Sequence, residues 1–81
     1  MDNGLKEKIE RLKAKSELFF SNKTKVFIVD TESNYYFCEL ILLEENYINF
    51  KCFTGKREGE SFKKLWLDIL DIDEYKEEEG K

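Results

Sequence analysis

Residues 35–53 read YYFCELILLEENYINFKCF, two apolar and β-prone runs on either side of three polar residues. This pattern predicts a hairpin with strands at 35–43 and 47–53, joined by a loop at 44–46 with Asn46 in the left-handed conformation. With that loop, one face pairs apolar residues: Cys38–Cys52, Leu40–Phe50 and Leu42–Ile48. The other face pairs Phe37–Phe53, Glu39–Lys51, Ile41–Asn49 and Leu43–Tyr47. A shift of one residue would set Lys51 against Leu40, so the pattern favours this register.

The segments around the hairpin predict one helix and three more strands. Residues 4–20 carry an apolar stripe at steps of three and four residues, which indicates an amphipathic helix; the stripe consists of Leu5, Ile9, Leu12, Ser16 and Phe19. SNKT at 21–24 ends the helix. KVFIVD (25–30) predicts a first strand and TESN (31–34) a tight turn. FKKLW (62–66) predicts a fourth strand, followed by a brief helical turn and a short last strand, DIDEY.

The second face of the hairpin is too apolar to lie wholly in water. It needs cover from the helix, from curling of the strands or from another subunit. Five short strands with tight turns favour a small closed barrel, because closure removes exposed edges. We therefore expect a mainly β fold with an N-terminal helix and a small five-stranded antiparallel barrel. It forms a single domain over 1–81, with the helix at about 4–20, the barrel at about 25–75 and an acidic tail at about 76–81.

Composition excludes several classes of function. The formal net charge is −4, but residues 68–81 alone carry −5, so the remainder is nearly neutral and a nucleic-acid partner is compatible with it. No apolar run approaches the roughly 18 residues that a membrane span needs. The N-terminus lacks the apolar core of a signal peptide, so we expect a cytoplasmic protein with no membrane contact.

The chain also lacks the usual materials of an active site. It has no histidine, and its two cysteines form no CxxC pair, which leaves no zinc or thiol–imidazole site. No nucleophile motif is present, so we predict a protein that is not an enzyme and needs no cofactor. In a reducing compartment Cys38 and Cys52 are expected to be small buried hydrophobes, although their predicted pairing would allow a disulfide.

The order of helix and strands resembles the Sm-like fold of Sm, Lsm and Hfq proteins. The first Sm motif ends in Asp-x-x-Met-Asn-Leu across its second hairpin, and residues 45–50, Glu-Asn-Tyr-Ile-Asn-Phe, are similar position by position. The resemblance implies an RNA-base pocket in which Asn49 bonds the base edge, Tyr47 stacks on the base and Glu45 orients the asparagine. It also implies a barrel of Sm-like or SH3-like type and a ring-forming oligomer.

The chain departs from the family at two places. The Arg-Gly pair of the second motif, whose arginine completes the base pocket, is missing from LWLDILDI at 65–72. The glycine of the second strand is replaced by Cys38 or Glu39. The resemblance therefore covers the order of elements and one six-residue motif.

Each candidate residue also has a purely structural interpretation. Tyr47 and Asn49 share a strand face and so could grip one base, or they could be a cross-strand aromatic and a solvated amide. Lys56 and Arg57 in the loop at 54–61 could meet RNA phosphates, or the loop could simply be solvated. Trp66 could anchor an interface or fill the core.

Two functions remain open. The first is a module that binds single-stranded RNA through Tyr47 and Asn49, assisted by Lys56 and Arg57. The second is a protein-interaction or assembly module without a nucleic-acid role, with a partner or a second copy held at an interface. Its candidate interface residues are Phe37, Ile41, Leu43 and Trp66.

Overall fold

A computed structural model describes residues 3–76 as one helix followed by five strands. The helix, α1, is Asn3–Ser21, and the strands are β1 Val26–Asp30, β2 Tyr35–Leu43, β3 Tyr47–Cys52, β4 Ser61–Leu65 and β5 Ile69–Glu74, with a 3-10 turn at Trp66–Asp68. The strands form one antiparallel sheet in the order β4-β3-β2-β1-β5. The predicted class and order of elements are confirmed. Most of the predicted acidic tail, 77–81, lies outside the described residues.

Helix α1 buries the middle of its predicted stripe. Leu12 and Ser16 are buried against the sheet, with Ile9 and Phe19 partly buried beside them, whereas Leu5 near the N-terminus is 40% exposed. The Ser16 hydroxyl donates to the Leu12 carbonyl oxygen at 2.7 Å, so this polar group is satisfied within the helix. Within residues 3–76, no helix is long and apolar enough to span a membrane.

The helix ends in a Schellman motif with a lysine at the left-handed position. Lys23 has a φ of 56°. The N–H of Lys23 donates to the Phe20 carbonyl at 3.1 Å, and the N–H of Thr24 donates to the Phe19 carbonyl at 2.9 Å. These two bonds satisfy carbonyls that a helix end leaves free. The predicted end of the helix at 21–24 therefore has a defined geometry.

The core lies between α1 and one face of the sheet, the inner face. Its buried apolar residues are Leu12, Val26, Ile28, Tyr36, Cys38, Ile48, Phe50, Cys52, Trp66, Ile69 and Ile72. Cys38 and Cys52 face each other in the β2–β3 ladder as free thiols, as the buried-hydrophobe interpretation predicted. Trp66, 3% exposed, is also a core residue.

The prediction of a closed barrel is wrong. Among the described residues β4 and β5 do not pair with each other, so the sheet is open and these strands are its edges. The 3-10 turn at Trp66–Asp68 carries the chain from one edge to the other without a hairpin ladder. Helix α1 packs on β2, β5 and the 3-10 turn, and it therefore covers part of the core that strand closure was expected to cover.

The register of the β2–β3 hairpin is half as predicted. Cys38–Cys52, Glu39–Lys51 and Leu40–Phe50 pair as expected, but beyond them a bulge at Ile41 shifts the partners. Leu42 now faces Asn49, and Leu43 faces Ile48. The predicted pairs of Ile41, Leu42 and Leu43 are therefore wrong, because the extra residue of a bulge displaces every later partner by one.

The turn of this hairpin also differs from the prediction. The N–H of Glu44 donates to the Tyr47 carbonyl at 2.9 Å, so the loop has two residues, Glu45 and Asn46, and not three. The described non-glycine residues with positive φ are Lys23 and Ser33. Asn46 is therefore not left-handed, contrary to expectation.

Candidate nucleic-acid interface

Tyr47 and Asn49 lie side by side on the outer face of the sheet, which is the face away from the core. Both are half-buried residues of β3, and β4 places Lys63 directly opposite Asn49. The ammonium nitrogen of Lys63 lies 4.3 Å from the centroid of the Tyr47 ring, which is close enough for a cation–π contact. An aromatic ring, an amide and a cation thus share one surface.

Asn49 carries an unsatisfied polar atom. Its side-chain oxygen is buried, and within residues 3–76 no donor reaches it. Its cross-strand neighbours are Leu42 and Lys63. A buried acceptor without a partner costs about 1–3 kcal/mol, and native proteins concentrate such costs at functional sites. Because protein atoms cover this oxygen, a ligand donor reaches it only when a neighbouring side chain moves aside, and Lys63 of β4 is one such neighbour.

The turn before Tyr47 is tied to the core by Trp66. The indole N–H of Trp66 donates to the Glu44 carbonyl oxygen at 2.8 Å. The backbone N–H of Trp66 donates to the Asn46 carbonyl oxygen at 3.1 Å. Two bonds from one buried residue therefore hold both ends of the turn, which fixes the position at which β3 and Tyr47 begin.

Glu45 does not contact the amide that it was expected to orient. It lies exposed in the turn, and in the described part of the chain it makes no hydrogen bond to Asn49. The residues opposite Asn49 in the two adjacent strands are Leu42 and Lys63 instead.

Lys56 and Arg57 lie at the other end of the β3–β4 ladder. That ladder runs from Tyr47–Leu65 to Lys51–Ser61, which is about 13 Å along the strand, and the loop that bears Lys56 and Arg57 lies beyond it. The Arg57 guanidinium carbon is 4.8 Å from the Tyr36 ring centroid, and Tyr36 belongs to the core. The structure therefore does not bring these two cations to Tyr47 and Asn49.

Lys63 is a cation that the sequence grouped with the basic loop residues and did not place beside Tyr47 and Asn49. Its place opposite Asn49 follows from the β3–β4 register. Strand alternation in FKKLW could have shown that Lys63 and Lys64 lie on opposite faces of the strand, but not which face carries Asn49. The long loop between β3 and β4 left that register undefined in the sequence.

The four candidate interface residues differ in how deeply they are buried. Phe37 packs edge-on against Tyr75 at 5.5 Å, and Tyr75 also covers Phe53 at 5.1 Å. Leu43 is half-buried and packs against the core, while Trp66 is buried within it. Ile41 alone of the four stays largely exposed, at 47%. Exposed leucines that the sequence did not single out as interface candidates lie at 5, 18, 42, 65, 67 and 70.

A second polar cluster, which sequence analysis did not predict, surrounds the buried carboxylate of Asp30 at the end of β1. Asp30 Oδ1 accepts the backbone N–H groups of Glu32 and Asn34, each at 2.9 Å. Asp30 Oδ2 accepts the Tyr36 hydroxyl at 2.9 Å and lies 3.3 Å from Lys64 Nζ. Aspartate followed by TESN was a recognisable turn signal, but its link to Lys64 is a tertiary contact.

The charged and polar groups of this cluster all have hydrogen-bond or ion-pair partners, and their pKa shifts follow from those contacts. Burial acts to raise the pKa of Asp30, but hydrogen bonds from Asn34, Tyr36 and Glu32 outweigh it and hold the pKa well below its ordinary value. Burial and the bond to Asp30 raise the pKa of Tyr36. Burial opposes the charge of Lys64, yet bonding to Asp30 and Tyr36 raises its pKa. All three groups stay in their ordinary charge states at neutral pH and fasten the β1–β2 turn to β4.

No family model matches the chain, and a search of curated proteins finds no match either. The class of protein is thus defined by architecture: an N-terminal helix followed by a five-stranded antiparallel sheet in an order consistent with Sm-like topology.

Proposed function

We propose that the protein is a non-enzymatic Sm-like module that binds single-stranded RNA at Tyr47 and Asn49. The observation that carries the proposal is the buried, unpartnered side-chain oxygen of Asn49 beside the half-buried ring of Tyr47. A planar base needs both elements, because its face stacks on an aromatic ring and its edge exchanges hydrogen bonds with an amide. The strand order, consistent with Sm-like topology, adds support.

Lys63 supplies the positive charge that the missing Arg-Gly pair would otherwise bring. In the free protein its ammonium group lies over the Tyr47 ring. A base stacking on that ring displaces the ammonium group toward the adjoining phosphate, where the ion pair replaces the cation–π contact. Stacking contributes about 1–3 kcal/mol per base, and the phosphate contact adds affinity without reading sequence.

The charge around the site predicts weak, salt-sensitive binding. Lys51 lies on the same face as Asn49 and Lys63, while Glu44 and Glu45 at the turn oppose an anionic strand. Two phosphate contacts to a single strand lower log K by about 1.4 for each tenfold rise in salt. Binding is therefore best measured at low ionic strength and followed upward.

Fluorescence anisotropy of a labelled oligouridine, titrated with the protein at low and moderate salt, tests this proposal. Tyr47→Ala should weaken binding about tenfold or more through lost stacking, while Tyr47→Phe, which keeps the ring, should retain most of it. Leu18→Ala, an exposed change on the helix, is the matched control. Equal affinity of the wild type, Tyr47→Ala and Asn49→Ala would refute the base pocket.

The open sheet edges favour a second candidate, an assembly module. Strands β4 and β5 have no ladder partner on their outer sides within the described residues. Leu65, Leu67 and Leu70, in or next to these strands, are each about half exposed. Unpaired edges with apolar flanks are able to pair with another chain. Sedimentation velocity tests this candidate: a monomer at all concentrations argues against self-assembly, and a dimer or ring that Leu67→Asp dissociates supports it.

A further inference from the structure

We propose a second subsite for a nucleotide beneath the β3–β4 loop, at Tyr35, Lys56 and Arg57; this inference rests on the proposed RNA-binding function. A cavity of about 190 Å³ opens there, and its lining includes Tyr35, Tyr36, Thr54, Gly55, Lys56 and Arg57. It combines an aromatic surface with two cations. Those are the elements that hold a base and its phosphate in single-strand binding.

Tyr35 provides a ring that is already ordered for stacking. It is 56% exposed, so a base can reach it without opening the core. Its other side is supported by Phe27, with ring centroids 6.3 Å apart and planes inclined by 19°. An exposed ring held in place by a second ring loses little freedom when a base stacks on it.

The two cations of the loop are free to meet a phosphate. In residues 3–76 neither Lys56 nor Arg57 forms an ion pair with a carboxylate. The Arg57 guanidinium lies over the Tyr36 ring, a contact that orders the group. Glu58 and Glu60 are in the same loop but do not line the cavity. The two basic residues line the cavity and the two acidic residues do not, so the cavity favours an anion although the loop as a whole is nearly neutral.

The second subsite is separate from the first; its Tyr35 lies on the same outer face, whereas its Arg57 contacts Tyr36, which faces the core. Tyr35 shares the outer face of β2 with Glu39, which pairs with Lys51 on the face that also carries Tyr47. The distance from Tyr47 to Cys52 along β3 is about 17 Å, and the cavity lies at and beyond Cys52. One base cannot reach both sites, so each takes its own nucleotide, and Lys51 lies between them.

A double-mutant cycle on a long oligouridine of about 16 nucleotides tests the inference by anisotropy at low salt. Tyr35→Ala should weaken binding about tenfold, and Tyr35→Phe should leave it nearly unchanged. Lys56→Gln should lower the salt slope by about 0.7, whereas Lys6→Gln on the helix should not. The losses from Tyr35→Ala and Tyr47→Ala should multiply, as expected for distant and independent sites.

The outcomes separate this inference from the proposed function. If Tyr47→Ala weakens binding and Tyr35→Ala does not, the second subsite is wrong and the first stands. If only Tyr35→Ala weakens binding, the loop cavity is the binding site and the Tyr47–Asn49 pocket is wrong. Absence of any binding by the wild type at low salt overturns both.

Discussion

Trp66 donates its indole N–H to the carbonyl oxygen of Glu44 at 2.8 Å, across 22 residues of sequence. The bond joins the core to the turn that introduces Tyr47, so the only tryptophan of the chain both fills the core and positions the candidate site. Glu44 lies between β2 and β3, and Trp66 lies between β4 and β5. The bond therefore links the 3-10 turn to the β2–β3 hairpin.

Replacing Trp66 by phenylalanine should lower the free energy of unfolding by about 2 kcal/mol, because it removes this bond and part of the buried ring. Urea unfolding followed by circular dichroism measures the change. Leu67→Ala, next in sequence and 53% exposed, should change stability by less than about 0.5 kcal/mol. Equal midpoints for Trp66→Phe and the wild type would show that the turn does not depend on the bond.

Asn49→Val should stabilise the protein by about 1 kcal/mol and abolish base recognition. Valine suits a strand and removes the buried, unpartnered oxygen. Opposite changes in stability and RNA affinity would mark Asn49 as a residue kept for function at a cost in stability. A large loss of stability would instead show that the amide supports the fold.

Asp30→Asn should destabilise the protein by about 2–4 kcal/mol at neutral pH, since it breaks a buried charge pair and replaces one of the two acceptor oxygens by a donor NH2 group. Tyr36→Phe, which removes only one hydroxyl, should cost about 1–2 kcal/mol. Urea unfolding at pH 7 compares the three proteins. Similar midpoints for the wild type and Asp30→Asn would refute a structural role for the carboxylate.

The effect of Asp30 should disappear in acid. The pKa of Asp30 is lower in the native state than its ordinary value of 3.8, so its contribution to stability is complete above that value and is lost as the pH falls through the native pKa. The difference between the wild type and Asp30→Asn should therefore be constant from about pH 7 to about pH 5 and shrink below about pH 4. A difference that grew in acid would contradict a depressed pKa.

Lys23→Gly should raise the free energy of unfolding by about 0.5–1 kcal/mol, because glycine adopts the left-handed conformation without the strain that a lysine side chain imposes. Glu10→Gly, at an exposed position inside the helix, should lower it by about 1 kcal/mol. Thermal unfolding of both variants shows whether each change raises or lowers the free energy of unfolding. A loss of stability on Lys23→Gly would show that the lysine side chain itself supports the helix end.

Sequence periodicity was enough to predict the helix, the order of the strands and the central pairs of the hairpin. The stripe through Leu12 and Ser16 and the pairing of Cys38 with Cys52 both follow from which positions must be buried. The bulge at Ile41 did not follow, because either face of the strand accepts an apolar residue at that end. The open sheet was missed for a similar reason: alternation does not say which two edges will meet.

The candidate site was predicted only in part. Tyr47 and Asn49 are adjacent because strands alternate with a period of two residues, which is a local property of the chain. Lys63 could not be assigned to the same surface, because its position depends on a register set across a long loop. Lys56 and Arg57 were grouped with the pocket by charge alone, and the sheet separates them from it.

The sequence by itself determined the elements, the buried positions and the juxtaposition of Tyr47 with Asn49, since these depend on backbone sterics and on the burial of apolar groups within short segments. Only the tertiary structure decided that Trp66 holds the turn, that Lys63 lies over Tyr47 and that Arg57 lies over Tyr36. Each of these is a contact between different elements of the chain. Such contacts are selected by the packing of the whole sheet and helix, and no local pattern of residues encodes them.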